Sequence, residues 1–237
     1  MTQNMADVAN SLGEDEPTWR QRAVERSTRA AKLRAEQRVQ RFLDAAIELL
    51  NAGSGKDFTV QEVVERSGQS LRSFYQYFSG KHELLLALFE ESVRSTTDHL
   101  RQEITGEGEP LERLHRFVVE YYRLCRPAGD GTTTLTVRPI LMAEFAQQLL
   151  TTHPKEAARA FAPLVALFDE LLEEAATAGV VRDVLRSGPI VGVVLEVIMF
   201  NAFSATISGS SVRADDGSTA EALWTFVVQG IGTGPRS

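Results

Sequence analysis

Apolar residues recur at helical spacing along most of this chain, and the pattern begins in earnest at Val39. Val39, Phe42, Leu43, Ala46, Ile47 and Leu50 fall on one face and predict a helix that Gly53 and Gly55 stop. Two short helices are expected within residues 59–78. A longer one begins at Ser79 and runs to about Ile104, with Leu84, Leu85, Leu88 and Val93 as its apolar positions. Glu109-Pro110 opens another through about Arg126, since proline suits a first turn. Further helices are expected over about 138–151, 154–178, 189–208 and 219–230, and Pro163 kinks or restarts the second of these. No run of period two predicts a strand, and no internal repeat is present. The chain reads as all-α.

The segments between and before these helices have a different character. Residues 1–16 read as disordered. Thr18 to Arg34 is compatible with a helix but lacks an apolar stripe, so it reads as an arm or a solvent-exposed extension. The Gly/Thr stretch at 128–136 is the longest loop expected in the body, and SGSSVRADDGS at 208–218 reads as a flexible turn between the last two helices.

Residues 59–84, TVQEVVERSGQSLRSFYQYFSGKHEL, carry the most specific local signals. Thr59 is placed to cap a helix, and Glu62 three residues later completes a capping box. Phe58 before the cap and Val63 after it sit at hydrophobic-staple positions. Gly68 supplies backbone freedom for a turn, and Ser70 is suited to cap the next helix. Phe74 and Phe78, four apart, share an inward face, which leaves Arg72, Ser73, Gln76 and Tyr77 largely outward. Two short helices, a tight turn and a clamp onto a third helix are the layout of a helix-turn-helix, whose second helix enters a DNA major groove.

This stretch resembles the DNA-binding domain of the TetR family of one-component transcriptional regulators. The matching residues are Thr59, Glu62, Gly68, Ser70, Phe74-Tyr75, Phe78, Lys81 and Leu84, and the likeness is strong over about residues 36–90. Two positions depart from the family pattern: Gln69 stands where an apolar residue is common, and Arg72 where a small one often sits. The resemblance implies an N-terminal three-helix helix-turn-helix domain over residues 35–82 and a C-terminal helical ligand-binding and dimerisation domain over 83–237. Residues 1–34 then form a disordered or helical basic extension, which some relatives use in the minor groove. It further implies a ligand-responsive repressor that holds a palindromic operator, with effector binding changing the separation of the two DNA-reading heads through the helix beginning near Lys81. The alternative of the same fold is an activator, or a regulator controlled by a partner protein.

Composition narrows the remaining classes. Apolar content of 43% in 237 residues is ample for a core and excludes wholesale disorder. One cysteine rules out an internal disulfide framework and suits a reducing cytoplasm; Cys125 reads as a small core hydrophobe, with a redox sensor as the lesser reading. No apolar signal segment opens the chain. Residues 190–207, IVGVVLEVIMFNAFSATI, carry Glu196 and Asn201 and fall short of the usual span of about 20 residues, so no membrane segment is expected. The net charge is −7, yet Arg20, Arg22, Arg26, Arg29, Lys32, Arg34, Arg38 and Arg41 face only Glu25 and Glu36 between Pro17 and Arg41. That local excess of six positive charges leaves −13 for the rest, which suits one face for phosphates and an acidic body turned away. A solvated basic helix is the alternative. No Gly-rich phosphate loop, G-x-S-x-G elbow or H-E-x-x-H motif is present, so an enzyme is not expected. His82, His99, His115 and His153 are scattered without ligand spacing, and neither a metal nor a cofactor is expected; His82, beside Lys81, is placed to approach phosphate.

Residue chemistry then assigns candidate roles. Thr59, Ser70, Tyr75, Tyr77 and Lys81 offer hydroxyls, helix-start N–H groups and an ammonium for phosphate contacts, and in the resemblance matching positions hold the backbone of each half-site. Arg72, Ser73 and Gln76 are candidates for base edges, because Arg bridges guanine O6/N7 and Gln bridges adenine N6/N7. Leu71 either touches a thymine methyl or packs inward, and Tyr75 is either a contact or core. One such module reads too few bases for a genome, so a homodimer is expected. Its contact falls to the last two helices. The 189–208 segment is apolar nearly all round with small residues Gly192, Ala202, Ser204 and Ala205, and the final helix is enriched by Leu223, Trp224, Phe226, Val227 and Val228. Burial wholly within one chain is the alternative. In the body, Phe117, Tyr121, Tyr122, Met142, Phe145, Phe161, Phe168, Met199 and Phe200 are candidates to line a cavity for a small apolar or amphipathic effector. Arg113, Arg116, Arg123 and Arg138 are candidates to receive an acidic head group.

Overall fold

A computed structural model of the chain describes residues 18–52, 58–104, 108–126, 142–182, 189–207 and 217–231. The disorder expected for 1–16, the stop at Gly53 and Gly55, the loop at 128–136, Arg138 and most of the 208–218 turn lie outside the described residues. Among the described residues the regular elements are helices: α1 Thr18–Ala52, α2 Val60–Ser67, α3 Leu71–Tyr77, α4 Lys81–Ile104, α5 Pro110–Leu124, α6 Ala143–Thr152, α7 Pro154–Thr177, α8 Pro189–Ile207 and α9 Ser218–Ile231.

The basic segment and the first core helix are one continuous helix of 35 residues. Between Thr18 and Ala52 there is no Gly or Pro, and Ala, Arg, Glu and Gln dominate, so nothing ends the helix before the core begins. Only its C-terminal third is buried, through Phe42, Leu43, Ala45, Ala46 and Ile47.

The head is closed by local chemistry. Thr59 Oγ1 accepts from the Glu62 N–H at 3.2 Å, and the Thr59 N–H donates to Glu62 Oε2 at 2.7 Å, which completes the capping box of α2. Gly68 ends α2 in the left-handed region at φ 64°, where a side chain would be strained, and its N–H returns to Glu65 and Val64 carbonyls. Ser70 Oγ accepts from the Ser73 N–H at 3.1 Å and starts α3 two residues after that glycine. The angle so fixed lays Phe74 against Phe42 edge to face, centroids 5.4 Å apart, with Phe78 5.4 Å from Phe74. These rings and Phe58, Val63, Val64 and Leu84 form the core of the head.

α4 carries the head into the body. The Ser79 N–H donates to Glu83 Oε2 at 2.6 Å, a capping contact that holds the Glu83 carboxyl below the usual carboxylate range. Leu88, Phe89, Val93 and Leu100 are buried on α4, which packs on α5 and α7 and also meets α1. In the body α5 is central, packed on α4, α7, α8 and α9. Its buried residues, Leu114, Phe117, Val118, Tyr121, Tyr122 and Leu124, repeat every three to four positions as a core-facing helix requires. Phe117 stacks on Phe168 of α7 at 4.9 Å.

α7 runs through Pro163 rather than restarting there; Pro163 lies on the exposed side. Proline instead breaks the helix one step earlier in the chain. Pro154 disfavours helical backbone at the preceding residue, so His153 (φ −133°, ψ 56°) becomes a one-residue joint between α6 and α7. α8 buries Val191, Val194, Leu195, Ile198, Met199, Ala202 and Phe203. Among the described residues no helix is long and apolar enough to cross a membrane.

Candidate nucleic-acid interface and body cavity

The short α3 is exposed along one side. Arg72 and Gln76 lie in solvent, and Leu71 and Tyr75 are also outward, at 44% and 56% exposure, so neither joins the core. Two residues expected to face outward do so less fully: Ser73 and Tyr77 are half-buried. The reason is helical geometry. Both immediately precede the inward residues Phe74 and Phe78, so they lie at the rim of the packed face. The Ser73 hydroxyl is shielded and has no protein partner among the described residues, and Tyr77 packs against the head core.

A shallow depression beside α3 is lined by Arg38, Gly68, Gln69, Ser70, Arg72, Ser73 and Gln76. Arg38 comes from α1 and brings a second guanidinium to the face that carries Arg72. The charge count identified Arg38 as one of a basic run, but only the crossing of α1 behind the turn places it here. Ser70 uses its oxygen as an acceptor from the Ser73 N–H, which leaves its own proton to donate. Thr59 is more committed: its Oγ1 accepts from the Glu62 N–H and also donates to Glu62 Oε2 at 2.8 Å. The Lys81 ammonium lies over the Phe58 ring at 4.7 Å, at the start of α4.

In the body a cavity of about 560 Å³ lies between α7 and α8, closed by Tyr121 of α5 and Leu150 of α6. Of the nine residues expected to line an effector site, it brings together Tyr121, Phe161 and Met199. Phe117 and Phe168 are absorbed by their mutual stack, Met142 is buried at the start of α6, and Phe145 packs against Phe89. Tyr122 is buried in the core and Phe200 is exposed. Ala158, Ala162 and Ala166, one turn apart on α7, keep the cavity wide, and Gly192 does the same from α8. A small-residue stripe ending in Asp169 was the sequence signal for this wall.

The ionisable residues lining the cavity are acidic, Asp169 and Glu196, not the arginines expected to meet a head group. Arg113 instead pairs with Glu174, and Arg123 with Glu120 at 2.8 Å, so the arginines of α5 serve its own seams. Cys125 is buried beside Tyr121, and burial pushes its thiol up to about 12, while the tyrosine hydrogen bond pulls slightly the other way. Buried in this way, the thiol packs as a small hydrophobe.

Residues 42–88 match the family model described as bacterial regulatory proteins, tetR family. A fatty acid metabolism regulator protein of Bacillus subtilis (strain 168) is 22% identical over 97 residues, covering 41% of this chain; the match spans about half of that relative, 49% of its length. Among solved structures, a fatty acid degradation regulator, FadR, from Bacillus halodurans superposes with a TM-score of 0.61 at 17% identity, covering 80% of this chain and 94% of the other. Thermus thermophilus FadR, a repressor solved in complex with lauroyl-CoA, gives 0.60 at 19% identity, covering 84% and 96%. These likenesses establish the fold across head and body, and the matched segment covers the helices that build the head. Residues 42–88 are thus similar to bacterial regulatory proteins of the tetR family, and the fold over most of the chain is similar to that of the FadR regulators.

Proposed function

We propose that the chain is a DNA-binding transcriptional repressor that holds a palindromic operator as a homodimer and releases it when a small apolar or amphipathic effector enters the body. One observation carries the reading: a capped, rigid α3 presents Arg72 and Gln76, flanked by Leu71 and Tyr75, on an exposed face that Arg38 makes more positive. Guanidinium and amide groups on successive turns are the donors and acceptors that major-groove base edges require. Ser70 and Lys81 stand at helix starts, where phosphate contacts are made.

The dimer is supported by an apolar stripe. Val193, Val197 and Phe200 on α8 and Phe226 on α9 are exposed, the last at 66%, while other apolar residues of the same helices, such as Ile198 and Val227, are buried. Val193, Val197, Phe200 and Ser204 fall on one side of α8 at spacings of four, three and four, which suits close approach of a second α8 across a two-fold axis. The effector class is supported by the cavity lining. Its alanines, Leu150, Phe161, Val165, Leu195 and Met199 take an apolar chain, and Asp169 and Glu196 favour an uncharged or cationic group beside it. An acyl chain satisfies these walls. The polyanionic head of an acyl-CoA, bound by the Thermus relative, would have to lie away from the two carboxylates.

Selection of bound duplexes from a random library, followed by mobility shifts of the winner, tests the reading. A palindrome is expected, with affinity falling steeply between low and moderate salt as counterions are released. Arg72→Ala and Gln76→Ala should each weaken the selected site by about 1–3 kcal/mol and relax preference at single base pairs. Enrichment of no sequence, or equal binding by both variants, contradicts it.

A further inference from the structure

The fold brings one metal-ligating side chain, His82, to two others that lie some seventy residues further along the chain, His153 and Glu156. His82 sits in the first turn of α4, directly after the head. His153 is the joint between α6 and α7, and Glu156 is in the first turn of α7. One ligand atom from each can be chosen so that all lie within 4.8 Å of one another. His82 Nε2 is 2.8 Å from Glu156 Oε2, His153 Nδ1 is 3.9 Å from Glu156 Oε1, and the two imidazole rings are 4.6 Å apart between centroids. We propose that His82, His153 and Glu156 bind a divalent transition-metal ion, with zinc the best match, and that the ion pins the base of the DNA-reading head to the α6–α7 joint.

The donor set fits. Two neutral imidazoles and one carboxylate, with a fourth position left to water, are a recurrent zinc environment. Imidazole also selects against magnesium and calcium, which prefer oxygen ligands alone. Bonds of about 2.0–2.2 Å place tetrahedral ligand atoms about 3.4 Å apart. The two nitrogen–oxygen spacings, 2.8 and 3.9 Å, lie on either side of that value. His153 and Glu156 share a face because they are three residues apart across the first turn of α7. His153 is at this point only because Pro154 breaks the helix there.

The surroundings favour retention of an ion. Phe145 stands 5.6 Å from the His82 ring and gives the site an apolar back wall. One carboxylate oxygen of Glu156 faces each imidazole, Oε2 toward His82 and Oε1 toward His153. Arg159 pairs with Glu90 of α4 at 3.5 Å, which holds the same seam closed one turn further on. The position gives the ion a consequence. Leu150, Pro154 and Ala157, which flank the joint, line the effector cavity, while His82 lies five residues beyond the C-terminal residue of α3. An ion here restrains the seam between the cavity and the head.

Untagged full-length protein, stripped with chelator and dialysed, is titrated with zinc chloride by calorimetry at about pH 7.5, where imidazole is largely neutral. One zinc per chain is expected at a saturable site, and cobalt(II) bound there should show the visible bands of a tetrahedral ion without thiolate charge transfer. His82→Ala and His153→Ala should each weaken binding by more than the roughly 10–100-fold that supporting residues typically contribute. His99→Ala, at the separate His99–Glu120 pair, should leave it unchanged. Zinc should also raise the melting temperature of the parent protein and not that of His153→Ala. Uptake of no zinc by the parent, or undiminished uptake by both the His82 and His153 variants, overturns the proposal.

Discussion

Replacing Phe74 with alanine is expected to lower the stability of the head by about 3–5 kcal/mol, the range for deleting a fully buried aromatic ring. Phe74 has no exposed surface and contacts Phe42, Tyr75 and Phe78 as ring neighbours, all with centroids 5.4 Å away or, for Phe42 and Phe78 together, within 6.2 Å. α3 has only seven residues and cannot persist alone, so its orientation depends on this ring. Domains of this kind have about 5–15 kcal/mol in total, and the loss is therefore a large fraction of it. Urea unfolding followed by circular dichroism should show a separate early transition for the head, and DNA binding should vanish while the body stays folded. A midpoint unchanged within about 1 kcal/mol would show that Phe74 is not the keystone of the head, against the usual range for such deletions.

Val197→Asp is expected to split the proposed dimer. Val197 stands mid-stripe on α8 between Val193 and Phe200. In the isolated chain it is partly exposed, so an aspartate there leaves the fold intact. In a two-fold interface it buries an unpaired carboxylate at about 3–5 kcal/mol, and symmetry installs it twice. Association should weaken by more than two orders of magnitude, since about 1.4 kcal/mol is tenfold. Sedimentation should then give a monomer, and operator binding should fall with it because one head reads too little sequence. A dimer that survives Val197→Asp and Phe226→Asp together places the interface elsewhere.

The head was legible because each of its signals is local. Thr59 with Glu62, Gly68, and Ser70 announce two caps and a turn within a dozen residues, and Phe74 with Phe78 fixes the buried side. Helix limits in the body were also close to the pattern of apolar positions, since long amphipathic runs such as α5 and α7 carry their periodicity plainly. What the sequence hid was three-dimensional assembly. Aromatic residues alone do not say which will stack in a core, as Phe117 and Phe168 do, and which will face a cavity, as Phe161 does. Arg38 lines the same depression as Arg72 and Gln76 because α1 packs against the turn region. His82 and His153 have no recognisable spacing because their approach depends on α4 crossing α7, and arginines on α5 that looked free are spent on neighbouring glutamates.

The most direct test is a hydroxyl-radical footprint of the selected operator with the full-length protein. Two copies of α3 related by a two-fold axis should protect two symmetric patches on one side of the duplex, about 34–36 Å or a multiple apart, and Arg72→Ala should erase both patches equally. Protection confined to one patch, or patches that persist unchanged with Arg72→Ala, would mean that α3 does not read the groove.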